Sequence, residues 1–321
     1  MEEFEIISKI FAPLAGTGAF ELKDDAAVIA TRPGFDLVVT TDAVAEGTDF
    51  FAFDPAGSVA QKALRVNLSD LAAKGATPCF YLLSIALPPS ITMEWLSAFA
   101  AGLAADQAAF GISLLGGDTA RTEGPLSISI TAFGLVPEGR MIRRDGAADG
   151  DDIYVTGTIG DSGGGLAIFK REIHALNETQ RDALTARYRV PQPPIGFGAN
   201  YLGHFAGAAI DVSDGLIADL GHLARASKVQ IRIDADSIPR SDALRAFWGD
   251  EDAAIVRAAT AGDDYQIAFA AASSASEMVA KAAGDCSIAV TRIGDVGPGE
   301  GVQLQRQGRI LPVSRPGYRH F

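Results

Sequence analysis

Asn67-Leu68-Ser69-Asp70-Leu71-Ala72-Ala73-Lys74-Gly75-Ala76-Thr77-Pro78 is the stretch whose reading decides the fold. Back to Ser58, the residues Val59, Ala60, Ala63, Leu64, Val66, Leu68 and Leu71 follow a helical period, with Asn67 and Asp70 three apart inside it. A carboxylate near an apolar helix surface needs a cation or several donors. Asp70 is therefore either a solvent-facing or capping acid, or part of a charged site. Gly75 is placed to end the helix and Pro78 to prevent its continuation. Phe80–Leu87 then reads as a strand stopped by Pro88-Pro89.

Moving outward, the same alternation continues. Leu37-Val38-Val39-Thr40-Thr41 reads as a buried strand leading to Asp42, and two hydroxyls before a carboxylate can coordinate Mg²⁺ or form an ordinary turn. Val44–Phe51 contains Gly47, Asp49 and two aromatics and suits a substrate-covering loop. Met93–Phe110 is expected to be a helix with Trp95, Leu96, Phe99 and Leu103 on its apolar side. Ile112–Leu115 and Leu126–Leu135 are expected strands, so an α/β domain should end near residue 140. Upstream, Phe4–Phe11 reads as a packing helix. Leu22-Lys23-Asp24-Asp25-Ala26-Ala27-Val28-Ile29 reads as paired acids entering a strand, where neighbouring side chains face opposite ways. In Gly116-Gly117-Asp118-Thr119 the glycines permit a tight path with oxygen groups at its mouth. Asp25, Asp42, Asp70 and Asp118 converging would repel one another unless metal neutralised them.

A second domain begins after Arg140-Met141-Ile142-Arg143-Arg144, where the arginines could clamp phosphate or form salt bridges. Thr158–Leu166 is glycine-rich, and exposed amides at such a turn can hold phosphate. It lacks the ending of a Walker A loop. In Ile210-Asp211-Val212-Ser213-Asp214-Gly215-Leu216, Asp211 and Asp214 could hold Mg²⁺ and Ser213 could donate to phosphate, while Ser213 and Asp214 could also cap the next helix. Gly262-Asp263-Asp264-Tyr265 is an acidic turn before a strand. Tyr318 lies near the C-terminus and could cover a ligand if the tail docks.

Composition bounds the function. The 321 residues are 48% hydrophobic, enough for two cores, and their mass is 33.4 kDa. A formal charge of −13 and a pI near 4.7 disfavour nucleic acid and anionic membrane as partners. Two cysteines, Cys79 and Cys286, fit a reducing compartment, and a cytoplasmic location is expected. The four histidines show no zinc spacing, so oxygen-ligated Mg²⁺ suits the inventory better.

Taken in order, Asp24-Asp25, Thr40-Thr41-Asp42, Asn67–Asp70, Gly116–Thr119, Ile210–Leu216 and Gly262–Tyr265 resemble the thiamine-monophosphate kinases over nearly the whole chain. These sit within the broader family of aminoimidazole ribonucleotide synthetase and selenide, water dikinase. The resemblance implies a two-domain α/β (α+β) architecture. Residues 1–140 would form a mixed-sheet ATP/Mg-binding and dimerisation domain, and 141–321 an α/β domain completing the nucleotide and substrate site. It implies a homodimer, several Mg²⁺ ions, and ATP and thiamine monophosphate as substrates.

By the same resemblance, Asp25, Thr40, Thr41, Asp42, Asp70, Asp118, Asp211 and Asp214 match positions around Mg²⁺ and the ATP phosphates. Asp42, Asp70, Asp118 and Asp211 carry the catalytic role. Gly117, Arg144 and Ser213 match nucleotide contacts, and Asp49, Asp263 and Tyr318 lie near the thiamine phosphate. Asp49 stands where many members have histidine, and Asp263 where many have glutamate. Leu22–Asp25 also departs from the family's glycine-rich approach to the paired acids. The implied reaction is γ-phosphoryl transfer from ATP to thiamine monophosphate. Ligation or cyclisation by a related enzyme and a nucleotide-binding regulator are the competing expectations.

Overall fold

The computed structural model describes residues 3–24, 26–172 and 175–318. The chain divides into two compact units, Met1–Leu71 with Ala76–Met141, and Ala72–Gly75 with Ile142–Phe321.

The first unit opens with α1 (Glu3–Ile6), continued by a π-helical turn over Ile7–Phe11, and buries Ile6, Ile10 and Phe11. Its sheet has the order β1-β4-β2-β3, from β1 (Phe35–Ala45), β2 (Thr77–Leu87), β3 (Ser113–Arg121) and β4 (Ser127–Pro137). β4 runs antiparallel to β1 and β2, and β3 parallel to β2. A parallel pair needs a crossover, supplied here by α3 (Met93–Phe110). Thr92 caps that helix by accepting from Trp95 N at 3.2 Å, and Gly111 ends it at φ 69°. Leu96, Phe99 and Leu103 are fully buried as the periodicity requires, and Trp95 stacks on Phe99.

α2 (Ala56–Ala73) is the helix read from the opening stretch. Its end is a Schellman motif: Ala76 N donates to Leu71 O at 2.9 Å, Gly75 N to Ala72 O at 3.1 Å, and Gly75 takes φ 72°. α2 approaches α3 closely because Gly102 faces Gly57, where a Cβ would meet the Gly57 carbonyl at 2.4 Å. Arg65 then grips Asp106 through Nε and Nη2, both at 2.8 Å, and Gln61 adds a third donor at 2.9 Å. Both charges are buried, so the pair fixes α2 against α3 at the expense of desolvating them.

The strand expected to follow the paired acids up to Ile29 is not formed among the described residues. Phe20, Glu21 and Leu22 all take positive φ in a 3₁₀ turn. Beyond them, the described residues before β1 join no strand ladder, and Val28 N donates to Gly18 O at 2.9 Å.

The second unit carries a mixed seven-stranded sheet of order β11-β10-β7-β9-β5-β8-β6. Its strands are β5 (Asp151–Thr156), β6 (Ala206–Val212), β7 (Gln230–Asp234), β8 (Gln266–Ala272), β9 (Val290–Gly297), β10 (Gly301–Arg306) and β11 (Arg309–Ile310). The helices are α4 (Asp161–Phe169), α5 (Glu178–Arg189), α6 (Ile195–Asn200), α7 (Leu216–Ser227), α8 (Asp242–Trp248), α9 (Asp252–Ala259) and α10 (Ser276–Asp285). One core joins Ile210 and Val212 of β6 to Leu216, Leu220 and Leu223 of α7 and to Ile231 and Ile233 of β7. That packing sets where the turn between β6 and α7 emerges.

Candidate active site

In the first unit, strand alternation decides which groups meet. Thr40 and Asp42 lie on one side of β1 and Thr41 on the other. Thr40 Oγ1 donates to Asp70 Oδ2 at 2.5 Å, joining β1 to α2. The Asp42 carboxyl is pushed up to about 6, first by burial, then by the charge of Asp70 and a hydrogen bond with it, and last by Asp49. Thr40, Asp42, Asp70 and Asp49 therefore form one cluster. Asp49 Oδ2 also accepts from Ala45 N at 2.8 Å, while buried Lys62 donates to the Asp49 carbonyl at 2.7 Å and holds that loop. Thr41 is turned away, its hydroxyl donating to Ile130 O at 3.2 Å and accepting from Thr131.

Asp118 stands elsewhere in the unit. The ladder aligns Asp42 with Ile130, Leu83 and Gly117, and Asp118 with Ser84, Ser129 and Ala43. Leu83 and Ile130 are buried beneath the sheet, whereas Ser84, Ala43 and Asp118 lie on its open face. Asp118 and Gly117 instead line a cavity of about 560 Å³ with Asp24, Ile7, Phe11 and Leu114. Gly117 has a steric reason to be glycine, because a Cβ there would sit 1.7 Å from the Leu83 carbonyl oxygen. Asp25 lies outside the described residues.

In the second unit, buried Asp211 and Val212 close β6, and half-buried Ser213 and Asp214 follow. Asp263 N donates to Ser213 O at 2.8 Å, Tyr265 N to Val212 O at 2.8 Å, and Tyr318 N to Asp214 O at 2.9 Å. The acidic turn and the C-terminal tail thus both dock on the β6–α7 turn. Asp263 and Tyr265 take φ 69° and 51°, and Tyr265 Oη donates to Asp263 Oδ1 at 3.1 Å. Two non-glycine residues in the left-handed region mark a turn held by its surroundings. Arg144 is exposed, its carbonyl accepting from Ser227 Oγ at 2.9 Å. His222 is held below its usual pKa by burial and then by Arg225 and Arg144, with Asp214 opposing them.

Three further groups were not singled out by the sequence. Asp219 accepts the N–H groups of Ser213, Asp214 and Gly215 at 3.1, 3.0 and 3.1 Å. Burial and then the charge of Asp214 push its carboxyl up to about 7, against the pull of those three donors. Its signal was an acid in the first turn of α7, a place where acids are common for dipole reasons alone. His222, on the same helix, gave no metal spacing to single it out. Asp264 sits at the N-terminus of α4, accepting from Gly160 N at 2.6 Å and Ser162 N at 3.3 Å. The expectation of exposed amides at the glycine-rich turn is thereby corrected, since these two are already used. The glycines serve packing: a Cβ on Gly165 would meet Leu184 O at 2.3 Å, and one on Gly163 would meet Ala261 Cβ at 2.5 Å.

Among the described residues, no group of three or more His, Cys, Asp or Glu side chains is close enough to hold a metal ion as placed. The donors present nevertheless suit a hard cation: Thr40, Asp42 and Asp70 offer oxygen only, in a cluster whose carboxyls repel one another. No helix among the described residues is long and apolar enough to cross a membrane.

Comparison with known proteins agrees with this architecture. The family described as AIR synthase related protein, N-terminal domain, matches residues 23–136, and its C-terminal domain counterpart matches 148–307. Thiamine-monophosphate kinase of Caulobacter vibrioides is 41% identical over 99% of this chain and 90% of its own. That of Escherichia coli K12 is 37% identical over 99% and 98%. The crystal structure of thiamine-monophosphate kinase from Stenotrophomonas maltophilia K279a superposes with a TM-score of 0.82 at 41% identity, covering 88% of this chain and 90% of that one. A structure of AaThiL complexed with AMPPCP and TMP has a TM-score of 0.80 at 30% identity, covering 99% and 94%. With two AIR synthase related domains in order and relatives alike over almost their full length, the chain belongs to the thiamine-monophosphate kinase family.

Proposed function

We propose that this protein transfers the γ-phosphoryl group of ATP to thiamine monophosphate, forming thiamine diphosphate and ADP. The observation that carries the reading is the Asp42–Asp70 pair, two carboxyls held together by the fold and steadied by Thr40 in a chain of this family. An oxygen of the acceptor phosphate attacks the γ-phosphorus in line, the bond to the β,γ-bridging oxygen breaks, and ADP leaves with that electron pair. The acceptor phosphate is already ionised near neutral pH, so no protein nucleophile or strong base is required.

Asp42, Asp70 and Thr40 are assigned to hold one Mg²⁺; Asp25, Thr41 and Asp118 of residues 1–140 are assigned to further Mg²⁺ ions, and so are Asp211 and Asp214 of residues 141–321. Bound Mg²⁺ supplies charge neutralisation between the two polyanionic substrates. Gly117, Arg144 and Ser213 are assigned to the nucleotide, and Asp49, Asp263 and Tyr318 to the acceptor. The docking of Asp263 and Tyr318 on the Ser213–Asp214 turn supports placing acceptor and nucleotide groups side by side. A homodimer is supported by the open face of the first sheet, where Leu37 is 44% and Val39 58% exposed. A cytoplasmic location completes the reading.

The test is direct detection of thiamine diphosphate from thiamine monophosphate, ATP and Mg²⁺, omitting each component in turn. Product only in the complete mixture supports the assignment. Folded protein that binds ATP and Mg²⁺ yet yields no product would sink it. For the dimer, a concentration-dependent mass measurement showing only the 33.4 kDa species would reject the second copy.

A further inference from the structure

The turn after β6 is tied down from three directions. Ser213, Asp214 and Gly215 send their N–H groups to one oxygen, Asp219 Oδ2. Asp219 N returns a hydrogen bond to Gly215 O at 3.0 Å, so acid and turn hold each other reciprocally. The carbonyls of Ser213 and Asp214 accept from Asp263 N and Tyr318 N. Asp219 is 3% exposed, whereas Ser213 and Asp214 are half-buried. With the backbone of Ser213 and Asp214 committed inward, their hydroxyl and carboxylate are what the turn presents to a ligand.

Successive N–H groups on such a turn ordinarily make a concavity for an anion, and a phosphate would be a natural guest. Here the chain's own carboxyl group fills that concavity. We propose that Asp219 is a positioning residue for the nucleotide: it draws three N–H groups inward and thereby fixes the Ser213 hydroxyl and Asp214 carboxylate toward metal-bound ATP. This rests on the kinase reading above. Asp219 acts only through the turn and touches no substrate.

At pH 8, above the value of about 7 to which burial pushes this carboxyl, Asp219→Asn keeps the shape and one acceptor oxygen while removing the charge from the three-donor contact. Calorimetric titration with Mg²⁺ and AMPPCP, a nucleotide that cannot transfer its terminal phosphate, reads binding apart from turnover. The Kd and the KM for ATP should rise about tenfold, as expected if hydrogen bonds to a charged acceptor weaken by about 1.4 kcal/mol. The KM for the acceptor should stay within about twofold, a split that general loosening of the fold would not give. Asp219→Ala should lose at least as much nucleotide affinity. An unchanged Kd in folded Asp219→Asn overturns the proposal, as does an equal loss for both substrates. Failure of the kinase reading is separable: wild-type protein that binds Mg²⁺ and AMPPCP but forms no thiamine diphosphate sinks the acceptor assignment, and the Asp219→Asn Kd still decides the positioning role.

Discussion

Replacing Asp42 with asparagine should make the metal-free protein more stable while abolishing phosphoryl transfer. In the folded chain the Asp42 carboxyl titrates near 6 instead of 3.8, for reasons of burial and of repulsion from Asp70 and Asp49. At about 1.4 kcal/mol per pH unit, that difference is about 3 kcal/mol. The sign follows from proton counting. Between pH 3.8 and about 6 the folded protein binds more protons than the unfolded chain, so stability falls as pH rises through this window and levels off above it. Asparagine escapes the loss. The variant's advantage should therefore grow from about 1 kcal/mol at pH 4.5 to about 3 kcal/mol at pH 8. Urea unfolding in chelator provides the assay. The chain has two tryptophans, Trp95 in the first unit and Trp248 in the second, so a Trp248→Phe background leaves Trp95 to report the relevant unit. Because the charge of Asp70 supplies only part of the push on Asp42, with burial the larger part, Asp70→Asn should give a smaller gain and add little in the double variant. A pH-independent difference, or a less stable variant at pH 8, would refute the reasoning.

Other substitutions test the scaffold around the site. Gly117→Ala would place a methyl group 1.7 Å from the Leu83 carbonyl, so β2 and β3 must separate; a loss of at least about 3 kcal/mol is expected from chemical denaturation, and a wild-type midpoint would contradict it. Asp106→Ala leaves Arg65 buried without its carboxylate, and should cost about 3–5 kcal/mol in the same assay. Gly317→Ala would bring a Cβ to 2.5 Å from Asp214 O and 2.6 Å from Ala218 Cβ, lifting Tyr318 from its hydrogen bond. Steady-state kinetics should then show a raised KM for thiamine monophosphate with little change in thermal midpoint.

Much of this was legible in the residues. The period ending at Gly75 gave α2 and its stop, because apolar spacing and a left-handed C-terminal glycine are local signals. The opposite directions of Thr40 and Thr41 also follow from strand alternation, although grouping both as ligands hid that consequence. The segment after Asp25 has strand composition, but a strand exists only with a partner, and that lies beyond local sequence. The separation of Asp118 from Asp42 is a matter of register across four strands, which no single motif records. Asp219 escaped notice because an acid near a helix start looks the same whether it faces water or fills a turn, and Asp264, read only as part of an acidic turn, meets the start of α4 from 104 residues away in sequence.

The carboxyl group of Asp264 at the start of α4 has a further consequence. A helix N-terminus left open would attract whatever free phosphate or sulfate surrounds the protein, and its occupancy would drift with the medium. α4 carries its acceptor as part of the chain, the Asp264 carboxyl, whose pKa burial pushes well above the ordinary carboxylate range against the pull of its two N–H donors. The stretch that looks in sequence most like a phosphate loop is therefore indifferent to ambient oxyanions, and sulfate competition should leave it undisturbed.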